Sequence, residues 1–286
     1  MYYNLCISGG GIKLISSLGV LKYLFENKYI SYNLLQKISG VSAGAMISFM
    51  ITIGYTINEI EDFACNFNFK KLLPETNTEN LLFYYGFDTN NKLSHMLSLL
   101  LKNKYNITDI TFKELFDKNK KTLQIGVSNI TDNKFELWDY TNNPNTSIIQ
   151  AVAISACVPI VYKPFDINNK FYIDGGIINN FPINLFDDYE LKFTIGIACD
   201  FDVEYEFSNV FEYLGKIINT ISTNNDIDKI NKYKNIVDII AIKGDGDFLP
   251  NNITEKDIKN KINIGFDIAK HFYINKKYKK IRRHSI

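Results

Sequence analysis

The chain has 286 residues, 46% of them hydrophobic and 22% charged, and its formal net charge is +1. This length buries one large core or two smaller ones; the composition excludes a disordered chain, and the charge balance carries no global signature of nucleic-acid binding. The four cysteines, Cys6, Cys65, Cys157 and Cys199, stand far apart in apolar runs without a C-x-x-C pair, and read as buried thiols of a reducing compartment.

Strand-like residues run from Tyr2 to Ser8, which leaves no room in this sequence for a targeting segment and predicts a cytoplasmic protein. They end in Gly9-Gly10-Gly11-Ile12-Lys13, after which Leu18, Leu21, Leu24 and Phe25 fall on one face of a helix over 15–25. Successive glycines between a strand and a helix free backbone N–H groups to point at an anion. A dinucleotide fingerprint needs a glycine where Leu14 stands, and a phosphate loop needs a G-K-[S/T] ending that is missing, which leaves an oxyanion.

From Ile38 to Asn58 no residue is charged, but Gly40, Gly44 and Gly54 and several Ser and Thr residues break the run, so it reads as a buried strand, turn and helix rather than a membrane span. Within it lies Gly40-Val41-Ser42-Ala43-Gly44, a G-x-S-x-G pattern. A serine standing proud on a sharp strand-to-helix turn is strained, and the positions two before and two after it must lack a Cβ. The helix behind it aims free N–H groups, Ala43 among them, at any oxyanion formed there. A glycine-rich turn with a capping serine satisfies the same pentapeptide.

Residues 55–120 read as helical pieces: Asn58 to Phe69 with Asn58 as cap, the apolar and aromatic run Leu81 to Phe87, an amphipathic helix from Lys92 to Leu101, and a short turn at Phe112 to Phe116. They either cover a sheet or form an apolar lid over a lipid site. Strands return at Leu123 to Asn129 and Lys134 to Tyr140 as a hairpin, and a small apolar helix spans Ser147 to Ala156. Phe171-Tyr172-Ile173 delivers Asp174-Gly175-Gly176 to the end of a strand, where an acid can face another strand's loop. Thr194 to Cys199 and Ile236 to Ile242 are further strands, and Phe211 to Ile221 and Gly265 to Tyr273 further helices. Asp200, Asp202, Asp245 and Asp247 lack calcium-loop spacing, and no metal or other cofactor is expected. Strands alternating with helices, with no linker or repeat, predict an α/β domain over residues 1–275 and a basic tail over 276–286.

The glycine loop at 9–13, the elbow at 40–44, Ser155 and Pro159 in the segment 151–159, and Asp174-Gly175-Gly176 occur in the order found in patatin-like phospholipases. The chain resembles that family from residue 3 to about residue 270. The resemblance implies a three-layer α/β/α sandwich with a mixed, mostly parallel sheet, and hydrolysis of acyl esters of lipids at a membrane surface. It implies Ser42 as nucleophile, Asp174 as its dyad partner, and Gly9, Gly10 and Gly11 as the oxyanion loop. Leu14 departs from the family's usual glycine, which implies altered loop packing and substrate fit.

Lys13, beside the loop, is suited to attract a phosphate head group, or is simply solvated. Of the three histidines, His95, His271 and His284, none stands in a loop after a strand, so a Ser-Asp dyad is expected rather than a Ser-His-Asp triad. A basic crowd from Lys270 to Arg283 is suited to anionic lipid. The competing classes are a lipid-binding protein that keeps the fold without turnover, and a nucleotide binder, which Leu14 disfavours.

Overall fold

In the computed structural model, which describes residues 1–75, 78–200, 210–243 and 253–283, the first apolar run is strand β1 (Asn4–Ile7). A tight turn, Gly11–Leu14, leads to α1 (Ile15–Glu26), which buries Leu18, Leu21 and Leu24. Strand β2 (Lys37–Val41) then runs through Ser42 into α2 (Ala43–Thr52). The next helix, α3 (Ile57–Asn66), is capped by Thr56 and not by Asn58. The Thr56 hydroxyl accepts from the Glu59 N–H while the Glu59 carboxylate accepts from the Thr56 N–H, a reciprocal box that outcompetes a lone Asn.

The aromatic run at 81–87 is divided by Tyr85, at φ 65°, into α4 (Thr78–Tyr84) and a short strand, β3 (Gly86–Asp88). Helix α5 (Asn91–Tyr105) buries Leu93, Met96, Leu97, Leu100 and Leu101, and α6 (Phe112–Asn119) follows. The hairpin is β4 (Thr122–Asn129) and β5 (Lys134–Trp138), and α7 (Ile148–Ser155) is capped by Ser147. Beyond Pro159 come two strands without counterpart in the sequence reading, β6 (Ile160–Tyr162) and β7 (Phe165–Ile167), each too short for alternation to show. Then follow β8 (Lys170–Asp174), α8 (Gly176–Asn179), α9 (Asp188–Leu191), β9 (Thr194–Asp200), α10 (Val210–Tyr233), β10 (Asp238–Lys243) and α11 (Glu255–Arg283).

The main sheet has the order β10-β9-β1-β2-β4-β8-β7, with β5 also paired to β4. The pairs from β10 through β4 are parallel, and those of β5, β8 and β7 antiparallel. Alternate residues of β1 and β9 enter different cores. Leu5, Ile7, Ile195 and Ile197 join the larger one, while Cys6 and Ala198 pack with Phe181, Ile183 and Leu191. Both faces of the sheet are therefore covered, which makes the sandwich three-layered. Helix α11 lies against α1 so closely that a methyl group at Gly19 would sit 1.8 Å from the Ile262 carbonyl oxygen. It continues through the basic stretch at 276–283, where the Lys276 ammonium bonds Asp238.

One edge of β4 carries two strands in succession. Residues 125–126 pair with both β2 and β5, and residues 127–129 with both β5 and β8. A strand has two edges, so β2 and β8 share the one that β5 leaves free. The carboxyl end of β2 (Val41 opposite Gly126) thus meets the carboxyl end of β8 (Asp174 opposite Val127) head to head.

Candidate active site

Ser42 sits where β2 becomes α2, at φ 53° and ψ −123°. That conformation costs a non-glycine residue about 1–3 kcal/mol and persists only where the surroundings enforce it. A methyl group at Gly40 would lie 2.4 Å from the Gly44 carbonyl oxygen, and one at Gly44 would lie 2.4 Å from that of Ser8. The spacing of the pentapeptide is therefore steric: any side chain at either glycine would push the strand and helix apart. Ser155, at the end of α7, locks the turn, accepting from the Ser42 N–H at 2.9 Å and donating to the Gly126 carbonyl at 2.6 Å. The sequence marked Ser155 as part of a pattern without giving it a task.

The head-to-head strand ends bring together residues 132 apart in the chain, and the Ser42 hydroxyl donates to Asp174 Oδ2 at 2.8 Å. The other carboxylate oxygen accepts from the Gly176 N–H at 2.7 Å. Asp174 is only 6% exposed. Burial pushes its pKa up to about 7, against the opposing pull of the Gly176 N–H and the Ser42 hydroxyl. An aspartate held there exchanges protons near neutral pH, which an ordinary carboxylate does not. His95 and His271 are exposed and do not line the cavity beside Ser42; His284 lies outside the described residues.

The glycine loop differs from its expected use at one position. The Gly9 N–H already donates to the Asn180 carbonyl at 3.2 Å, so Gly9 fixes the loop and does not offer a donor to an oxyanion. Gly10 and Gly11 line the cavity beside Ser42 and Ala43, and their N–H groups meet no acceptor among the described residues. Leu14, buried, lines it too. The side chains of Lys13 and Asp200 fall outside what is described, as do residues Asp202, Asp245 and Asp247. Among the described residues no group of His, Cys, Asp and Glu is placed to hold a metal ion.

Sequence reasoning missed the residues behind this loop. The Asn180 side-chain amide donates to the Gly9 carbonyl at 3.3 Å and to Asp226 Oδ2 at 2.8 Å, so Asn180 grips Gly9 from both sides. Asp226 comes from α10, where Lys229 faces its second oxygen at 3.5 Å and also bonds the Asn179 side chain. Burial raises the Asp226 pKa, while Lys229 and Asn180 pull it down. The only signal in the sequence is the polar spacing Ser222, Asp226, Lys229 along one helical face, which is as common on solvated helices.

Ser42 and Asp174 open into a cavity of about 210 Å³ whose wall is mainly apolar, including Leu18, Met46, Met50, Phe63, Phe69 and Leu93. This α/β fold sets a strained serine against a buried carboxylate, with N–H groups that meet no acceptor among the described residues alongside and an apolar cavity in front, and these are the parts that nucleophilic attack requires. The chain belongs to the patatin-like phospholipase family, whose pattern matches residues 5–187. A "Probable lipid hydrolase" of invertebrate iridescent virus 6 is 35% identical over 199 residues, a match covering 67% of this chain and 65% of that protein. An uncharacterized protein of Acanthamoeba polyphaga mimivirus is 29% identical over 270 residues, or 90% of this chain and 88% of the other. The fold is shared with VipD of Legionella pneumophila, at a TM-score of 0.69 and 18% identity over 95% of this chain and 66% of VipD. The type III effector ExoU of Pseudomonas aeruginosa gives a TM-score of 0.55 at 14% identity, over 95% of this chain and 53% of that one. The chain thus spans about two thirds or less of the viral protein, of VipD and of ExoU. No helix among the described residues is long and apolar enough to cross a membrane.

Proposed function

We propose that the protein is a lipid acyl hydrolase in which Ser42 and Asp174 cleave the carboxylic ester bonds of phospholipids. The observation that carries this reading is the 2.8 Å bond from the Ser42 hydroxyl to a buried carboxylate at a strained elbow. Ser42 Oγ attacks the ester carbonyl carbon as its proton passes to Asp174 Oδ2. The Gly10, Gly11 and Ala43 N–H groups hold the oxyanion, each such donor contributing about 3 kcal/mol. Collapse of the tetrahedral intermediate expels the alcohol, which takes the proton from Asp174. Water then attacks the acyl carbon as it gives a proton to Asp174, and collapse releases the fatty acid while Ser42 Oγ, the leaving group, takes that proton back from Asp174. The apolar cavity suits an acyl chain, and the Ser-Asp chemistry calls for no metal. Family membership and the similarity to a viral lipid hydrolase support the substrate class.

The test is incubation with mixed phospholipids, with free fatty acid and lysolipid read by mass spectrometry, beside labelling by a fluorophosphonate. Release by the parent protein, none by Ser42→Ala, and label on Ser42 are expected. Label on another residue, or an active Ser42→Ala protein, would overturn the mechanism.

A further inference from the structure

Helix α10 shows an apolar row to water along its first half and makes polar bonds inward along its second. Ser222, Asp226 and Lys229 lie on its inner face and bond the segment that follows Asp174. The Ser222 hydroxyl donates to the Gly176 carbonyl at 2.8 Å, Asp226 accepts from Asn180, and Lys229 bonds Asn179. Val210, Tyr213, Ile217 and Ile221, spaced by three and four residues, are each 40–54% exposed. At 3.6 residues per turn these four side chains fall within about 80° of one another, on one face of the helix. A surface helix ordinarily buries its apolar stripe and shows its polar one. Here an apolar row stands in water over about three turns, and such a row marks a contact surface more reliably than single exposed side chains do.

A second apolar surface belongs to the same cavity. At the end of α4, Leu82, Phe83, Tyr84 and Tyr85 are 50–75% exposed in succession. Strand β3, directly after them, pairs with β6, whose Tyr162 lines the cavity and donates its hydroxyl to the carbonyl of Leu72, another lining residue. Helix α10 reaches that cavity through Ser222.

We propose that the outer face of α10 and the end of α4 lie on the surface of a phospholipid bilayer and set the cavity against it. The inference rests on the reading of the Ser42 cavity as a lipid site. Chemistry favours a bilayer over a protein partner. Tyrosines mixed with aliphatic side chains are the composition of membrane–water interfaces. Cations stand beside them: Lys163 lies 4.6 Å over the Tyr84 ring, and exposed Lys70 and Lys71 sit in the turn that gives Phe69 and Leu72 to the cavity. These suit anionic head groups. An acyl chain drawn from the bilayer into an apolar cavity held against it crosses no water.

The experiment is co-sedimentation of the Ser42→Ala protein with phosphatidylcholine vesicles, with and without phosphatidylserine, so that binding is read apart from turnover. The protein should partition onto both and prefer the anionic ones. The pair Tyr213→Ser and Ile217→Ser, and separately the pair Leu82→Ser and Phe83→Ser, should each weaken partition by about tenfold or more. Lys70→Gln with Lys71→Gln should lower the preference for phosphatidylserine by about tenfold or more. Unchanged thermal midpoints identify folded variants, and in the background of intact Ser42 both apolar pairs should hydrolyse a short soluble ester as the parent does. Failure of the parent to bind vesicles, or apolar variants that bind like it, would overturn the proposal. So would a dimer in sedimentation equilibrium that the α10 pair dissociates, since the face would then belong to a second copy. Vesicle binding without hydrolysis of any lipid would sink the enzymatic reading and leave the docking surface standing.

Discussion

Two aspartates are buried at the cavity, Asp174 lining it at 6% exposure and Asp226 behind its wall at 1%, and burial raises the pKa of both. They differ in company. Asp226 has an amide on one oxygen and Lys229 facing the other, so its charge is matched and the three groups act as a strut between α10 and the segment after β8. Asp174 has a hydroxyl and a single N–H, and no cation among the groups that set its pKa. The comparison teaches that burial alone does not prepare a base. What distinguishes Asp174 is burial without a counter-charge, on a cavity, beside a group able to surrender a proton.

The same change at both sites should break the symmetry most sharply. Asp174→Asn should lower kcat by about 10³-fold or more, since it removes the group proposed to take the Ser42 proton. It should also stabilise the protein at pH 8. The folded pKa of about 7 lies above the unfolded value of about 3.9, so the folded state holds the extra proton between them. The stability Asp174 contributes is fully present below pH ~4 and is lost as pH rises through about 7, a loss of roughly 4 kcal/mol at most. Urea titrations at pH 8 and at pH 4 check this: the advantage of the Asn variant should vanish at the lower pH.

For the parent, kcat/KM should fall tenfold per unit of pH below about 7 as Asp174 takes up its proton. A profile flat down to pH 5 would assign the base elsewhere. Next in size is Ser155→Ala, which leaves the Ser42 N–H and the Gly126 carbonyl without their buried partner. Such a loss costs about 1–3 kcal/mol, and steady-state kinetics should show it in kcat more than in KM. Asp226→Asn keeps an acceptor for Asn180 and should hold kcat within about tenfold of the parent, in contrast to the same substitution at Asp174. Smallest of all, replacing His95, His271 and His284 together by Gln should leave kcat within about tenfold, because loss of a true general base costs about 10²-fold or more.

The fold and the Ser42–Asp174 pair were legible in the sequence for a physical reason. Gly40 and Gly44 are demanded by contacts under 2.5 Å, and no other residue type satisfies them. Asp174 stood out through its place at a strand end, which the register of β8 bears out. The struts were not legible, because Asn180 and Asp226 are 46 residues apart and each alone is an ordinary polar residue. The Gly9 donor was misjudged because its acceptor, the Asn180 carbonyl, comes from the far side of the chain. The sequence predicts helix α10 only as far as Ile221, and the inward bonds of its second half need the partners of Ser222, Asp226 and Lys229 to be seen.

The head-to-head meeting of β2 and β8 on one edge of β4 has a consequence for insertions and deletions. The two halves of the pair take their positions from adjacent residues of one strand, Gly126 and Val127, and not from the long stretch of chain between them. Extra residues in the turn at 130–133 or the connection at 139–147 leave both registers untouched. Removing one residue within β4 shifts one register against the other by about 3.3 Å and turns its side chains to the opposite face. Loops between Ser42 and Asp174 are therefore free to vary in length, whereas the length of β4 is not.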